Sequence, residues 1–258
     1  MQRIELQAIY VMWLRQMKRF VRSRSRIIGT IVQPLFFLFI LGFGLRSATL
    51  PGMTAENYVD FIAPGIVAMA ILFSSMYTGV SVLWDKKFGF MQEILVAPVS
   101  RFSIVIGSTL GGATTAVLQG TIVLIIALFL GIPVSSASGF ILGYIFMILI
   151  GLTSVGFGLI MASKMEDFEG FQIIITLIIM PLFFLSSAIF PIATNKELPE
   201  ILITLSYANP LFYMVDGLRG SLTNIDNVLN PLMNLVIVIF ICIIMLGTGV
   251  YLFNKTEA

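Results

Sequence analysis

Trp84–Ser103 reads WDKKFGFMQEILVAPVSRFS, a charged island between two long apolar runs. It carries Asp85, Lys86, Lys87, Glu93 and Arg101 beside an apolar set, Met91, Ile94, Leu95 and Val96. A plain connection between two spans needs no such mixture. A short helix presented to a partner protein does. The runs on either side decide the fold, because about 20 apolar residues cross the hydrocarbon core as a helix.

Composition widens that reading to the whole chain. Of 258 residues, 58% are hydrophobic and 11% charged, and mean hydropathy is +1.02. Soluble domains are about a quarter charged. The chain is therefore read as an all-α integral membrane protein, one transmembrane domain over residues 1–258. A net charge of +2 points to no nucleic acid. The single cysteine, Cys242, lies in an apolar run, and there is no histidine. Disulfides, imidazole metal ligands and the commonest general base are excluded. The basic leader of residues 1–26 precedes a full-length span rather than a short apolar signal region, which predicts an uncleaved first span. Gln2 replaces the glycine that myristoylation needs, and no cysteine lies near the end for prenylation.

Six spans are expected: Ile27–Leu45, Phe61–Trp84, Ile104–Leu130, Phe140–Met161, Phe171–Ile189 and Pro231–Phe253. Lysine and arginine set their direction. Residues 1–26, 85–103, 163–170 and 254–258 hold seven, three, one and one basic residues; 46–60, 131–139 and 190–230 hold one, none and two. Both termini are thus expected in the cytoplasm. The spans contain no Asp, Glu, Lys, Arg or His. Ion-coupled transporters keep such groups at membrane depth despite a cost of at least about 2.5–3.5 kcal/mol each. A driving force from elsewhere is implied, and no GxxxxGK[ST] motif is present to bind ATP.

Residues 8–26 show two stripes at helical spacing. Tyr10, Trp13, Leu14, Met17, Phe20 and Val21 form one; Arg15, Lys18, Arg19, Arg22 and Arg26 form the other. This predicts a helix lying in the membrane interface, aromatic side down and basic side towards lipid headgroups. Gln33, beside Pro34 in the first span, and Gln119 in the third are the polar groups singled out for a transport pathway, because an amide in hydrocarbon needs a partner. Pro34 and Pro181 should kink their helices. Small residues at four-residue steps, Gly107–Gly111, Gly112–Ala116–Gly120, Gly139–Gly143 and Ser154–Gly158, predict close helix approach. Between 190 and 230, Leu198–Leu205 and Pro210–Leu222 are apolar but too short to span. They read as two short helices dipping back into the outer leaflet or as a cap on the surface. Asp216 and Arg219, three apart, are placed to pair.

Three stretches together resemble the permease subunits of type-2 ABC exporters, the group of daunorubicin-resistance-type drug exporters and polysaccharide or teichoic acid exporters. They are YVDFIAPG at 58–65, DKKFGFMQEILVAPVSR at 85–101, and PLFFLSSAIFPI at 181–192 followed by LPEIL at 198–202 and ANPLFYMVDGLRG at 208–220. Ser187 departs from the pattern, where glycine is more usual, and local packing there is in question. The resemblance implies a dimer of two six-span halves, each with a separate ABC ATPase that supplies ATP and Mg chemistry; this chain would bind no cofactor and catalyse nothing. It implies that Lys86, Lys87, Phe88, Met91, Glu93, Leu95, Pro98 and Arg101 belong to a coupling helix, with Ser100 or Ser103 capping the third span. It implies an outer gate of paired re-entrant helices carrying Asn209, Pro210, Tyr213, Asp216 and Arg219. KMEDFEG at 164–170 is a second, weaker docking candidate, or else a solvated turn. The expected setting is a prokaryotic plasma membrane and the expected cargo a hydrophobic drug, lipid or glycoconjugate. A passive channel, an ion-driven transporter and a non-transporting scaffold are the alternatives.

Overall fold

Backbone N–H and C=O groups in hydrocarbon must pair within their own segment, so each apolar run closes on itself as a helix. The computed structural model of the chain obeys this constraint. It describes residues 5–44, 55–88, 99–132, 135–165, 167–195, 197–223, 225 and 228–256, and among them there are helices and turns but no strand. The helices are α1 (Leu6–Arg22), α2 (Arg24–Gly44), α3 (Ala55–Lys87), α4 (Arg101–Phe129), α5 (Ala137–Lys164), α6 (Phe168–Leu185), α7 (Glu200–Ala208), α8 (Pro210–Leu222) and α9 (Pro231–Thr256).

Five helical stretches are long and apolar enough to cross a membrane: Tyr58–Asp85, Phe102–Phe129, Ala137–Lys164, Phe168–Leu185 and Pro231–Phe253. They coincide with the second to sixth expected spans, and α2 covers the first. Counting each of two bent pairs as one span raises the number to seven: α1 with Ile27–Gly42, bent by 69°, and α7 with α8, bent by 82°. The most apolar window of α3 is 83% buried, against 17% in α6 and in α9. The second span is therefore the central post, and α6 and α9 turn most of their surface outward, where lipid is the natural solvent.

The fifth span ends earlier than expected, at Leu185 rather than Ile189. Ser187 takes a left-handed backbone, φ 57°, which a continuing right-handed helix cannot accommodate. Glycine adopts this conformation freely and serine does not. The serine compensates with its hydroxyl, which accepts from the Ala193 N–H at 3.2 Å and contacts the Ser206 hydroxyl at 3.4 Å. Upstream, Ile175–Ile179 forms a π-helical turn just before Pro181. A widened turn there is a recognised way to absorb a mid-helix irregularity such as a proline.

Close approach of helix backbones shapes the centre. Gly65 of α3 lies beneath Ala188, and a Cβ built on Gly65 would fall on the Ala188 carbonyl. Gly65→Ala is expected to be destabilising by about 1–3 kcal/mol, the range for overpacking a filled site. The measurement is the thermal unfolding midpoint of the purified chain; a midpoint equal to wild type would remove this contact from the account.

Candidate functional site

Helix α1 has three faces rather than two. Leu6, Tyr10 and Val21 are exposed, Met12, Gln16 and Phe20 are buried, and Arg15, Lys18, Arg19 and Arg22 form the basic side. The buried face seats on α4. A Cβ on Gly107 would stand 2.6 Å from the Ile9 carbonyl oxygen, and one on Gly111 2.6 Å from Gln16 Cβ, so only glycine lets the two backbones come so near. Trp13 Nε1 donates to the Thr114 hydroxyl at 3.2 Å. Phe20, expected in the lipid-facing stripe, is instead 8% exposed and packed inside.

The basic face also departs from expectation. Arg15 and Arg19 do not all point to headgroups. The Arg15 guanidinium makes a two-pronged pair with Asp85 near the end of α3, at 2.9 and 2.7 Å. Arg19 adds a 3.4 Å contact to the same carboxylate and donates to the Ser81 hydroxyl. The reason is electrostatic. The Asp85 side chain is only 10% exposed, and a carboxylate held there without a counter-ion is costly. A guanidinium fork matches its geometry. Lys18 and Arg22 stay exposed.

The other side of the α3 terminus meets α6. Trp84 stacks on Phe88 with centroids 4.9 Å apart and lies against Phe168 at 4.4 Å, and Lys87 Nζ sits 5.2 Å from the Phe168 centroid. Phe168 belongs to the 164–170 stretch, so that stretch lies against the start of 85–103. Ser100 is the N-cap of α4: its hydroxyl accepts from the Ser103 N–H at 3.2 Å. Ser103 in turn accepts from the Glu5 N–H at 3.0 Å, which ties the start of α1 to that cap. Of the expected coupling residues, Lys87 and Phe88 are placed and exposed. Met91, Glu93, Leu95 and Pro98 lie outside the described residues, as do the side chains of Lys86 and Arg101.

At the opposite end, α8 enters the bundle. Phe212, Met214, Val215, Leu218 and Leu222 are buried, so it is not a cap on the surface. Asn209 starts it: Oδ1 accepts from the Leu211 N–H at 3.0 Å, Nδ2 donates to the Leu182 carbonyl, and Pro210 occupies the first turn. Tyr213 donates to the Tyr207 carbonyl at 2.7 Å across the bend. Asp216 and Arg219 do not hydrogen-bond each other, contrary to the pairing expected from their spacing. Asp216 accepts from the N–H groups of Val228 and Leu229, both at 3.0 Å, and from Asn234 Nδ2 at 2.8 Å. Arg219 donates to the carbonyls of Phe61, at 3.1 Å, and Ser187, at 2.7 Å, and stacks 3.7 Å over the Phe61 ring. Each charge is more than 95% buried and is satisfied by several hydrogen-bond partners on neighbouring segments, while Asp216 still acts on Arg219 electrostatically. Arg219 thus joins α8 to the start of α3 and to the turn after α6, while Asp216 joins α8 to the start of α9.

The two glutamines part company. Gln33 is exposed on α2. Gln119 is fully buried in α4, and neither amide atom has a partner among the described residues. The positions that sequence reasoning missed are Asp85, Ser81 and Phe61. In the sequence Asp85 reads as part of a charged loop; its place at the C-terminal end of an apolar span, facing a strongly basic helix, is the signal that points to it.

The family model described as ABC-2 type transporter matches residues 7–223. Among curated relatives, the inner membrane transport permease YadH of Escherichia coli (strain K12) is 28% identical over 241 residues, covering 91% of this chain and 90% of that protein. The putative transport permease ycf38 of Cyanophora paradoxa is 28% identical over 218 residues, 83% of this chain and 73% of that one. Nodulation protein J of Sinorhizobium fredii (strain NBRC 101917 / NGR234) is 27% identical over 200 residues, 77% and 74% of the two chains.

Proposed function

The chain belongs to the ABC-2 type transporter family, and from that premise we propose that it is the permease subunit of an ATP-driven exporter, working as a dimer with a separate ABC ATPase. ATP and Mg are held by that partner. Both termini face the cytoplasm of a prokaryotic cell, in its plasma membrane. The cargo is a hydrophobic drug, lipid or glycoconjugate.

The observation that carries this reading is the clamped end of α3. Displacement by an ATPase reaches a pathway only if the helix it pushes is stiff and anchored. The central helix of the bundle ends between Arg15 and Arg19 on one flank and Phe168 on the other, and the 85–103 stretch continues from it. Force applied there moves the most buried helix rather than a loose tether. At the far end the same helix is gripped by Arg219 through the Phe61 carbonyl, so a push at one end bears on the re-entrant pair at the other.

The test is co-purification from mild detergent of the tagged chain expressed with its genomic neighbours, followed by ATPase assay. An ATPase in equal ratio is expected, with the Glu93→Ala/Leu95→Ala double variant inserting normally but losing substrate-stimulated hydrolysis. Purification of the chain alone, with no nucleotide-dependent activity, would overturn the proposal.

A further inference from the structure

Five cations and one carboxylate line an open cleft of about 1050 Å³ between α1, the first turn of α2 and the end of α3: Arg15, Lys18, Arg19, Arg22, Arg24 and Asp85. Asp85 is already engaged by Arg15 and Arg19. Lys18, Arg22 and Arg24 are exposed and form no ion pair among the described residues. Like charges crowded in one concavity repel one another and raise the local concentration of anions. The cleft carries net positive charge that no described residue neutralises.

We propose that this cleft binds the phosphate headgroup of an anionic phospholipid. The chemistry is two guanidinium forks and an ammonium around phosphate oxygens. Three observations favour a lipid over a free anion. Val11, 54% exposed, and Leu14 line the cleft beside the cations, giving it an apolar lip. Exposed apolar residues flank it on both helices, Leu6, Tyr10 and Val21 on α1 and Ile28 and Val32 on α2, which sets the elbow at a membrane surface. Its volume is also larger than a single phosphate needs. The assignment to the cytoplasmic leaflet rests on the orientation proposed above; binding itself does not. A bound headgroup would draw the α1–α2 elbow together and relieve repulsion around the Arg15–Asp85 pair, so lipid composition would act on the clamp at the end of α3.

The experiment uses the full chain, purified without its partner and delipidated, with native mass spectrometry and thermal unfolding as readouts. Phosphatidylglycerol, phosphatidylcholine and inorganic phosphate are the probes. Saturable binding of phosphatidylglycerol is expected, with a higher unfolding midpoint and little response to phosphatidylcholine. Arg22→Gln/Arg24→Gln should weaken it about 10–30-fold, from roughly 1 kcal/mol per basic group near a membrane surface. Lys18→Gln, on the exposed rim, should weaken it several-fold and serves should the double variant misfold. Lys255→Gln, exposed and not among the cleft residues, should change nothing. Equal binding of both lipids, wild-type binding by the cleft variants, or equal loss in Lys255→Gln would overturn the proposal. The full response from inorganic phosphate alone would make it a free-anion site and overturn the lipid assignment. Because no ATPase is present, failure here is separate from failure of the exporter reading.

Discussion

Arg219→Met is expected to lower the stability of the chain by about 3–5 kcal/mol and to abolish transport. The side chain is 2% exposed, and its loss strips the Phe61 and Ser187 carbonyls of a charged donor. An unsatisfied buried acceptor costs about 1–3 kcal/mol, and a desolvated cation over an aromatic ring contributes about 2 kcal/mol. Methionine fills much of the volume, so the effect reports the guanidinium rather than a cavity. Arg219→Lys retains the charge but lacks the planar fork that stacks on Phe61 while reaching two carbonyls, and should recover only part of the stability. Melting of the purified variants in detergent checks both statements. If Arg219→Met melts like wild type, Arg219 does not hold α8 in place.

Asp85→Asn is the second large effect, and it should appear in function more than in folding. It removes the charge that Arg15 and Arg19 share, at nearly constant shape. The pair is intermediate between an exposed bridge, worth at most about 1 kcal/mol, and a buried one, whose breakage costs about 3–5 kcal/mol. A loss on the order of 1–3 kcal/mol follows, borne mainly by the α1–α3 contact. Membrane insertion should be normal, while transport falls at least tenfold because the end of α3 is clamped on one flank only. Exchanging the charges, Asp85→Arg with Arg15→Asp, should restore part of the transport that either single change loses. Full activity of Asp85→Asn would remove the clamp from the mechanism.

The spans were legible because the bilayer imposes a length and a polarity on each. About 20 apolar residues without charge have one solution, a helix, whatever surrounds them. Stretches governed by local chemistry were legible too: Ser100 caps α4, and Asn209-Pro210 begins α8. Misreadings arose where a side chain chooses between solvent and a distant partner. On α1, periodicity separates basic from apolar residues, but it says nothing of a third face, because the helix that covers Met12 and Gln16 begins some 85 residues later. For Asp216 and Arg219, spacing on one helix suggested a pair, while the backbone groups that satisfy them come from Phe61, Ser187, Val228 and Leu229. The glycine steps predicted close packing without saying which helix comes close to which.

By itself the sequence determined that this is a helical membrane protein, where most of its spans lie, and the family pattern it resembles. Those follow from hydrophobic length, residue by residue, and need no knowledge of neighbours. Tertiary structure alone decided that α3 is the central post, that α8 lies inside the bundle, that Ser187 turns left-handed, and that Asp85 and Arg219 hold the two ends of one helix. The physical reason is that a charge in a low-dielectric setting is defined by its partners, and those partners lie 66 to 70 residues away for Asp85 and 32 to 158 residues away for Arg219.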